Sequence, residues 1–328
     1  MNFPQRNPPD YSASDPPPAA PLLCLQAPED CAGLRLDQGL ARLLPEHSRS
    51  RLQNWLRAGR VSIDGVVVQE TRHKLHGGER IVITVETDPQ LLSALPEAIA
   101  LSLVYEDADI LVLDKPAGLV VHPGSGNPAG TLLNALLHHA PALSALPRAG
   151  IVHRLDKETS GLLVVAKTEL AQTDLTRQLQ ARSVKRHYLA LAHGEVERGG
   201  TVDAPIGRHP TQRVKMAVVG GGREARTHYE VRRRFGPATL LECRLETGRT
   251  HQIRVHMASI NHPLVGDPTY GKRNPASPLL AAFHRQALHA WRLQLIHPRS
   301  HQELAWEAPL PADFAQLLEK LSAAFPGT

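Results

Sequence analysis

Apolar positions recur along this chain in two rhythms, one helical and one extended. Leu36, Leu40, Leu43 and Leu44 stand at helical spacing until Pro45 ends the run. Ser48 can cap a second helix that turns Leu52, Trp55 and Leu56 inward and stops at Gly59. Arg49, Arg51 and Arg57 then fall largely on its outer side. Short strands are expected at Val61–Ile63 and Arg80–Val85, with a turn at Asp64-Gly65. Further along, strands dominate: residues 101–105 and 109–113, the unbroken apolar run Gly161–Ala166, Lys185–His193, Thr227–Phe235, Thr239–Glu246, Leu288–Ile296 and Glu303–Ala308. Helices are expected at Thr131–His139, at Glu169–Ala181 behind a Thr168 cap, and at His251–Ile260 behind a Thr250 cap. A terminal amphipathic helix carries Phe314, Leu317 and Leu318. Helices do not alternate regularly with strands, so the expected fold class is α+β with a mixed, largely antiparallel sheet.

Proline sharpens the division of the chain. It crowds residues 1–32, with a triple at Pro16, Pro17 and Pro18, and a segment so interrupted is expected to be a disordered tail. A small domain is then expected over 33–88, a linker holding Pro89 and Pro96 up to residue 98, and a larger domain over 98–328. The 37 Lys and Arg exceed the 32 Asp and Glu, for a net charge of +5. The excess gathers between Arg35 and Val85 and again between Arg182 and Arg234. Positive charge concentrated in two regions suits a polyanion, although a solvated surface reads the same way on charge alone. The three cysteines form no CxxC pair and no disulfide framework, which points to a reducing cytoplasm. No apolar run reaches membrane-spanning length, so no membrane association is expected. The apolar stretch Ala19–Leu25 lacks the basic flank of a signal peptide.

Candidate chemistry centres on residues 150–167, GIVHRLDKETSGLLVVAK. Asp156 stands between Arg154 and Lys157, just ahead of the buried-strand run. A carboxylate in a basic loop against a rigid strand is held ionised and in place, as a nucleophile requires. Alone, such an aspartate is more commonly a turn or capping residue. The whole segment, however, resembles the signature of the RluA-type pseudouridine synthases. The resemblance implies that Asp156, in His-Arg-Leu-Asp, is the catalytic residue. It extends to Lys185-Arg186-His187-Tyr188, which places Tyr188 as the ring on which the base stacks. It extends again to TGRTHQIRVH over 247–256, which makes Arg254 the partner of the carboxylate. Residues 33–85 resemble the S4 RNA-binding domain, which gives Arg49, Arg51 and Arg57 an RNA-contacting role.

What the resemblance implies is an isomerase that turns uridine into pseudouridine. The N1–C1′ bond breaks, the uracil turns, and C5 joins C1′, with no cofactor, redox change or metal. Asp156 can attack the sugar, attack the base, or remove a sugar proton, and all three routes stay open. A uridine must leave its stack to reach it, at roughly a few kcal/mol. The resemblance gives Arg154 the task of filling the vacated space, with a plain phosphate contact as the alternative. His153 and His251 are expected to support the active-site loops, and Lys157 and Arg249 to contact RNA. His251 with His256, and His284 with His289, lie five apart and off a common helical face, so no zinc site is expected. The stretches 123–137, 200–218 and 261–271 direct the resemblance toward family members acting on large-subunit ribosomal RNA, as naked RNA or as ribosomal particles. A monomer suffices for this activity. Competing readings are action on another structured RNA such as tRNA, a noncatalytic RNA-binding or assembly protein, and a glycoside hydrolase. The last needs a second carboxyl about 5 Å from the first, and the neighbourhood of Asp156 is basic instead.

Overall fold

Apolar side chains are buried in separate clusters on either side of Glu86, where the chain divides into two units. The computed structural model describes residues 22–44, 47, 49–84, 95–124, 126–212, 215–272 and 275–326. The positions read from sequence as a stop at Pro45, a cap at Ser48 and most of the linker lie outside the described residues, as do residues 1–21.

In the first unit, strand β1 (Leu22–Gln26) precedes helices α1 (Leu36–Leu43) and α2 (Arg49–Arg57) and strands β2 (Val61–Ile63), β3 (Val66–Val67) and β4 (Arg80–Thr84). The strands join in the order β1-β4-β2-β3. Leu36, Leu40, Leu52, Trp55 and Leu56 meet Val61, Ile81 and Ile83 in one core. Each such aliphatic side chain contributes roughly 1.5–3 kcal/mol on burial. The expectation of a disordered tail is corrected for residues 22–32. Leu22–Gln26 pairs antiparallel with β4, and Ala27 and Cys31 are buried. No proline falls within Leu22–Gln26, and Pro28 comes only after the strand has ended.

The second unit is built on a mixed sheet. Its strands are β5 (Leu103–Glu106), β6 (Ile110–Lys115), β7 (Ser160–Ala166), β8 (Lys185–His193), β9 (Gly200–Asp203), β12 (Arg226–Arg234), β13 (Ala238–Leu245), β14 (Leu288–Ile296) and β15 (Glu303–Glu307). The order is β5-β6-β7-β14-β8-β13-β12-β9, with β15 also paired to β14. Among the described strands only β7 and β14 pair in parallel, so the sheet is mixed and largely antiparallel, as expected. A separate small hairpin joins β10 (Ile206–Arg208) and β11 (Met216–Val218). The helices are α3 (Leu132–His139), α4 (Glu169–Gln180), α5 (Gln252–Ser259), α6 (Pro278–Ala281) and α7 (Ala312–Ala324).

Strand β7 is buried along its whole length because both of its faces are covered. Leu163 and Val165 pack with Leu132, Leu133 and Leu136 of α3, while Leu162 and Val164 pack with Ala171 and Leu175 of α4. Thr168 caps α4 by accepting from the Ala171 N–H, as predicted. The predicted Thr250 cap of α5 is corrected: His251 holds the N-cap, in a left-handed conformation with φ 58°. The Gln252 side chain braces this turn, accepting from Thr247 Oγ1 and the Arg249 N–H and donating to the Arg226 carbonyl.

Candidate active site

The loop leading into β7 carries Asp156, and backbone bonds fix its shape. The Thr159 N–H donates to the Asp156 carbonyl, and the Gly118 N–H donates to the Lys157 carbonyl. Lys115, at the end of β6, is 0% exposed and sends its ammonium beneath the same loop. Its Nζ donates to the carbonyls of Pro116 at 2.7 Å, Leu119 at 3.0 Å and Lys157 at 3.0 Å. Burial pushes this lysine down to about 7, although Glu158 and Asp156 favour its charge. On the other side of the loop, the Val164 N–H donates to His153 Nε2. Burial pushes His153 down to about 3, with the positive charge of Arg186 adding to the effect. His153 is therefore a neutral support at ordinary pH.

Helix α5 brings Arg254 to Asp156 from 98 residues away, with Nη1 at 2.9 Å from Oδ2. The rest of the guanidinium forks onto Asp267, Nε at 2.7 Å and Nη2 at 2.9 Å. Asp267 has a fully buried side chain and also accepts from the Thr269 and Tyr270 N–H groups. Burial alone would raise the Asp267 carboxyl, but Arg254 and these backbone donors hold it below the usual range. Burial likewise works against charge on Arg254, and its bonds to Asp267 outweigh that, raising it above the ordinary guanidinium value. The Tyr270 ring lies against the guanidinium, 5.1 Å from its centroid to Cζ. A planar fork locked this way can present Nη1 in one direction only, toward Asp156.

His251 completes this side of the site. Its Nδ1 lies 2.9 Å from the Tyr270 hydroxyl, which itself accepts from the Met216 N–H. With Tyr270 donating to Nδ1, the neutral ring carries its proton on Nε2, 3.9 Å from Asp156 Oδ1. Burial pushes His251 below its ordinary value, and the Asp156 charge opposes that shift. Tyr188 projects from β8, where it pairs with Cys243 and Ala290. Burial raises its phenol, so the hydroxyl stays protonated.

Asp156, Arg254, His251, His153 and Tyr188 line one cavity of about 580 Å³, with Asp267, Tyr270 and Lys115 behind its wall. Of the residues named from sequence, His153, Arg154, Asp156, Tyr188, Arg249, His251 and Arg254 line it. Arg154 and Lys157 are exposed, and the cation bonded to Asp156 is Arg254 rather than either sequence neighbour. Lys157 does not line the cavity. Arg49, Arg51 and Arg57 belong to the other unit. There Arg49 and Arg57 are exposed, as anticipated, but Arg49 bonds to the buried Asp37 and Arg51 lies over Trp55 at 4.9 Å. Sequence reasoning missed Asp267 and Tyr270, although the stretch 261–271 had been singled out. It also missed Arg148, Arg182, Arg186 and Arg223, which line the same cavity. A cavity with so many guanidinium groups, in which Glu246 is tied to Arg182, Arg226 and His228 and Asp156 is mostly shielded, its side chain 16% exposed, suits a polyanionic substrate on which a carboxylate acts. Among the described residues, Asp107, Asp109 and His297 are close enough to share a cation. Arg299 already forks onto Asp109, and His297 bonds to Asp107, so positive charge is supplied there by side chains.

Comparison with known proteins bears on both units. The family profile for RNA pseudouridylate synthase matches residues 109–259, and that for the S4 domain matches residues 34–81. A ribosomal large subunit pseudouridine synthase D of Nitrosomonas europaea is 56% identical over 316 residues, covering 95% of this chain and 92% of the relative. The protein of the same name from Escherichia coli is 52% identical over 306 residues, covering 90% and 93%. Among solved structures, human RNA pseudouridylate synthase domain containing 1 superposes with a TM-score of 0.54 at 28% identity, covering 71% of this chain and 97% of that one. None of the described helices is long and apolar enough to cross a membrane.

Proposed function

The chain belongs to the RluA-type family of RNA pseudouridine synthases, and from that premise we propose that it isomerises specific uridines of large-subunit ribosomal RNA with Asp156 as the catalytic carboxylate. The observation that carries this reading is the 2.9 Å bond from Arg254 to Asp156 inside a cavity that Tyr188 also lines. A guanidinium pinned by a second carboxylate aims the first one and leaves its Oδ1 clear of that bond. That is the preparation a nucleophile or base needs before substrate arrives.

The reaction moves the glycosidic bond from N1 to C5, with a proton lost from C5 and one gained at N1, so nothing is consumed. Asp156 supplies the carboxylate on which each route depends. Tyr188 gives the extruded uracil a ring to stack on and a protonated hydroxyl within the site. Arg154, exposed at the mouth, fills the space the uridine leaves in the RNA. Arg249 and Lys157 contact the backbone, and the arginines of α2 bind RNA through the S4 domain. His153 and His251 hold the loops on either side. The chain acts as a monomer in the cytoplasm, where its three free cysteines stay reduced.

The test is to incubate the protein and its Asp156→Ala variant with large-subunit RNA lacking pseudouridine, then map new pseudouridines by chemical labelling and primer extension. Sites formed by the wild type alone support the assignment. If neither protein modifies naked RNA or isolated subunits, the substrate assignment fails.

A further inference from the structure

Arg186 stands on β8 two residues before Tyr188, so both side chains issue from the same face of the strand, about 6.6 Å apart along it. It lines the active-site cavity and is only 8% exposed. Its Nε is buried with no hydrogen-bond partner, and no ion pair to its guanidinium occurs among the described residues. Asp156 is the nearby carboxylate, but its bonded cation is Arg254. Glu246, at the rim of the same cavity, is bonded to Arg182, Arg226 and His228. A guanidinium set this deep, with its terminal nitrogens toward the cavity and no carboxylate bonded to it, is placed to receive an anion. Room for it has been kept. A Cβ on Gly248 would lie 2.6 Å from Arg186 Nη1, so the glycine of the 247–256 motif is what lets the guanidinium occupy this place.

We infer that Arg186 is the buried anchor for one backbone phosphate of the substrate, the phosphodiester next to the uridine whose base stacks on Tyr188. This inference rests on the reading of the site as a uridine isomerase. A phosphodiester supplies the missing charge and acceptor oxygens in a form a guanidinium fork matches. The spacing from Arg186 to Tyr188 is of the same order as that between phosphate and base within one nucleotide. Surface arginines hold the strand at many points, whereas this one engages only after the nucleotide has entered. Arg186 thus ties binding of the backbone to entry of the base.

The test pairs Arg186→Gln with RNA in which the phosphate on one side of a mapped target uridine, or on the other, is a neutral methylphosphonate. Wild-type protein is expected to lose about tenfold in affinity on one of the two modified RNAs. Arg186→Gln should lose the same on natural RNA and nothing more on that modified RNA, since both changes remove one contact. Its plot of log affinity against log salt should be shallower by about 0.7, the weight of one single-strand phosphate. Its melting temperature should be nearly unchanged, because no hydrogen bond or ion pair among the described residues of the free protein is lost. Gly248→Ala, which displaces the guanidinium but keeps its charge, should give a smaller loss at the same phosphate. Additive losses at both phosphates, an unchanged salt slope or a lowered melting temperature would each overturn the inference. If wild-type protein binds with this coupling but forms no pseudouridine, the isomerase reading fails while the phosphate contact stands.

Discussion

Arg254 divides one positive charge between two carboxylates that differ in accessibility, and substitutions at the two should part company. Asp156→Asn leaves Arg254 forked onto Asp267, so melting should hardly change while pseudouridine formation disappears. Asp267→Asn leaves Arg254 buried with half of its charge unanswered, and should cost about 3–5 kcal/mol in thermal unfolding as well as activity. Equal effects on melting would mean that the two carboxylates share the structural load. A second residue sets a pH limit. Burial of His193, with Lys272 nearby, pushes its imidazole down to about 4. The unfolded chain then binds a proton there that the folded chain refuses, so stability falls as pH drops from about 6.5 to about 4 and levels below. The loss is about 3 kcal/mol, and His193→Leu should show a flatter curve of melting temperature over that range. Asp156, Tyr188 and Arg254 were legible as residues because each sits in a distinctive motif. Asp267 and Tyr270 were not, because Asp-Pro-Thr-Tyr reads as a turn until the fold shows what the turn faces.

Among the elements, β7 bears most directly on the site, since the Asp156 loop feeds it and β14 runs parallel beside it. Gly161 makes that neighbour possible. It has φ 114°, and a Cβ there would lie 2.3 Å from the Ala290 carbonyl oxygen. Gly161→Ala should cost more than about 3 kcal/mol, from strain and from prising the two strands apart, measurable by denaturant unfolding. Long elements were readable to within a residue or so, as with Arg226–Arg234 against the expected Thr227–Phe235. Lys185–His193 and Leu288–Ile296 have the bounds expected of them, because alternation of buried and less buried positions persists over most of each strand. Short ones were not. The hairpin of β10 and β11 has three residues a side and little buried surface, so no periodicity marks it. α5 begins after a left-handed histidine, a start that capping preferences do not encode.

For the whole molecule, the sheet order was not legible in the sequence. β14 enters between β7 and β8, more than a hundred residues after β7, and nothing local announces such an insertion. The two-unit organisation has a measurable consequence. Protein lacking residues 1–95 should lose affinity for ribosomal RNA, or select its uridines less well, while keeping the single-turnover rate once RNA is bound. A truncated protein equal to the full chain on ribosomal substrate would remove the functional case for the S4 domain. Binding by the full chain should also fall steeply with added salt, through counterion release from the phosphates it contacts. Affinity that stays flat from low to high salt would contradict the arginine-lined cavity as an RNA site.

Lys115 offers a way to watch the Asp156 loop move. At pH 8 an amine held near 7 would be the fastest-reacting lysine of the chain if reagents could reach it, yet it is sealed beneath the loop that carries Asp156. Acylation by a mild ester, followed peptide by peptide in a mass spectrometer, should therefore leave Lys115 unmodified after exposed lysines such as Lys157 are saturated. Its slow residual labelling would clock the opening of the loop, and bound RNA should slow that clock further.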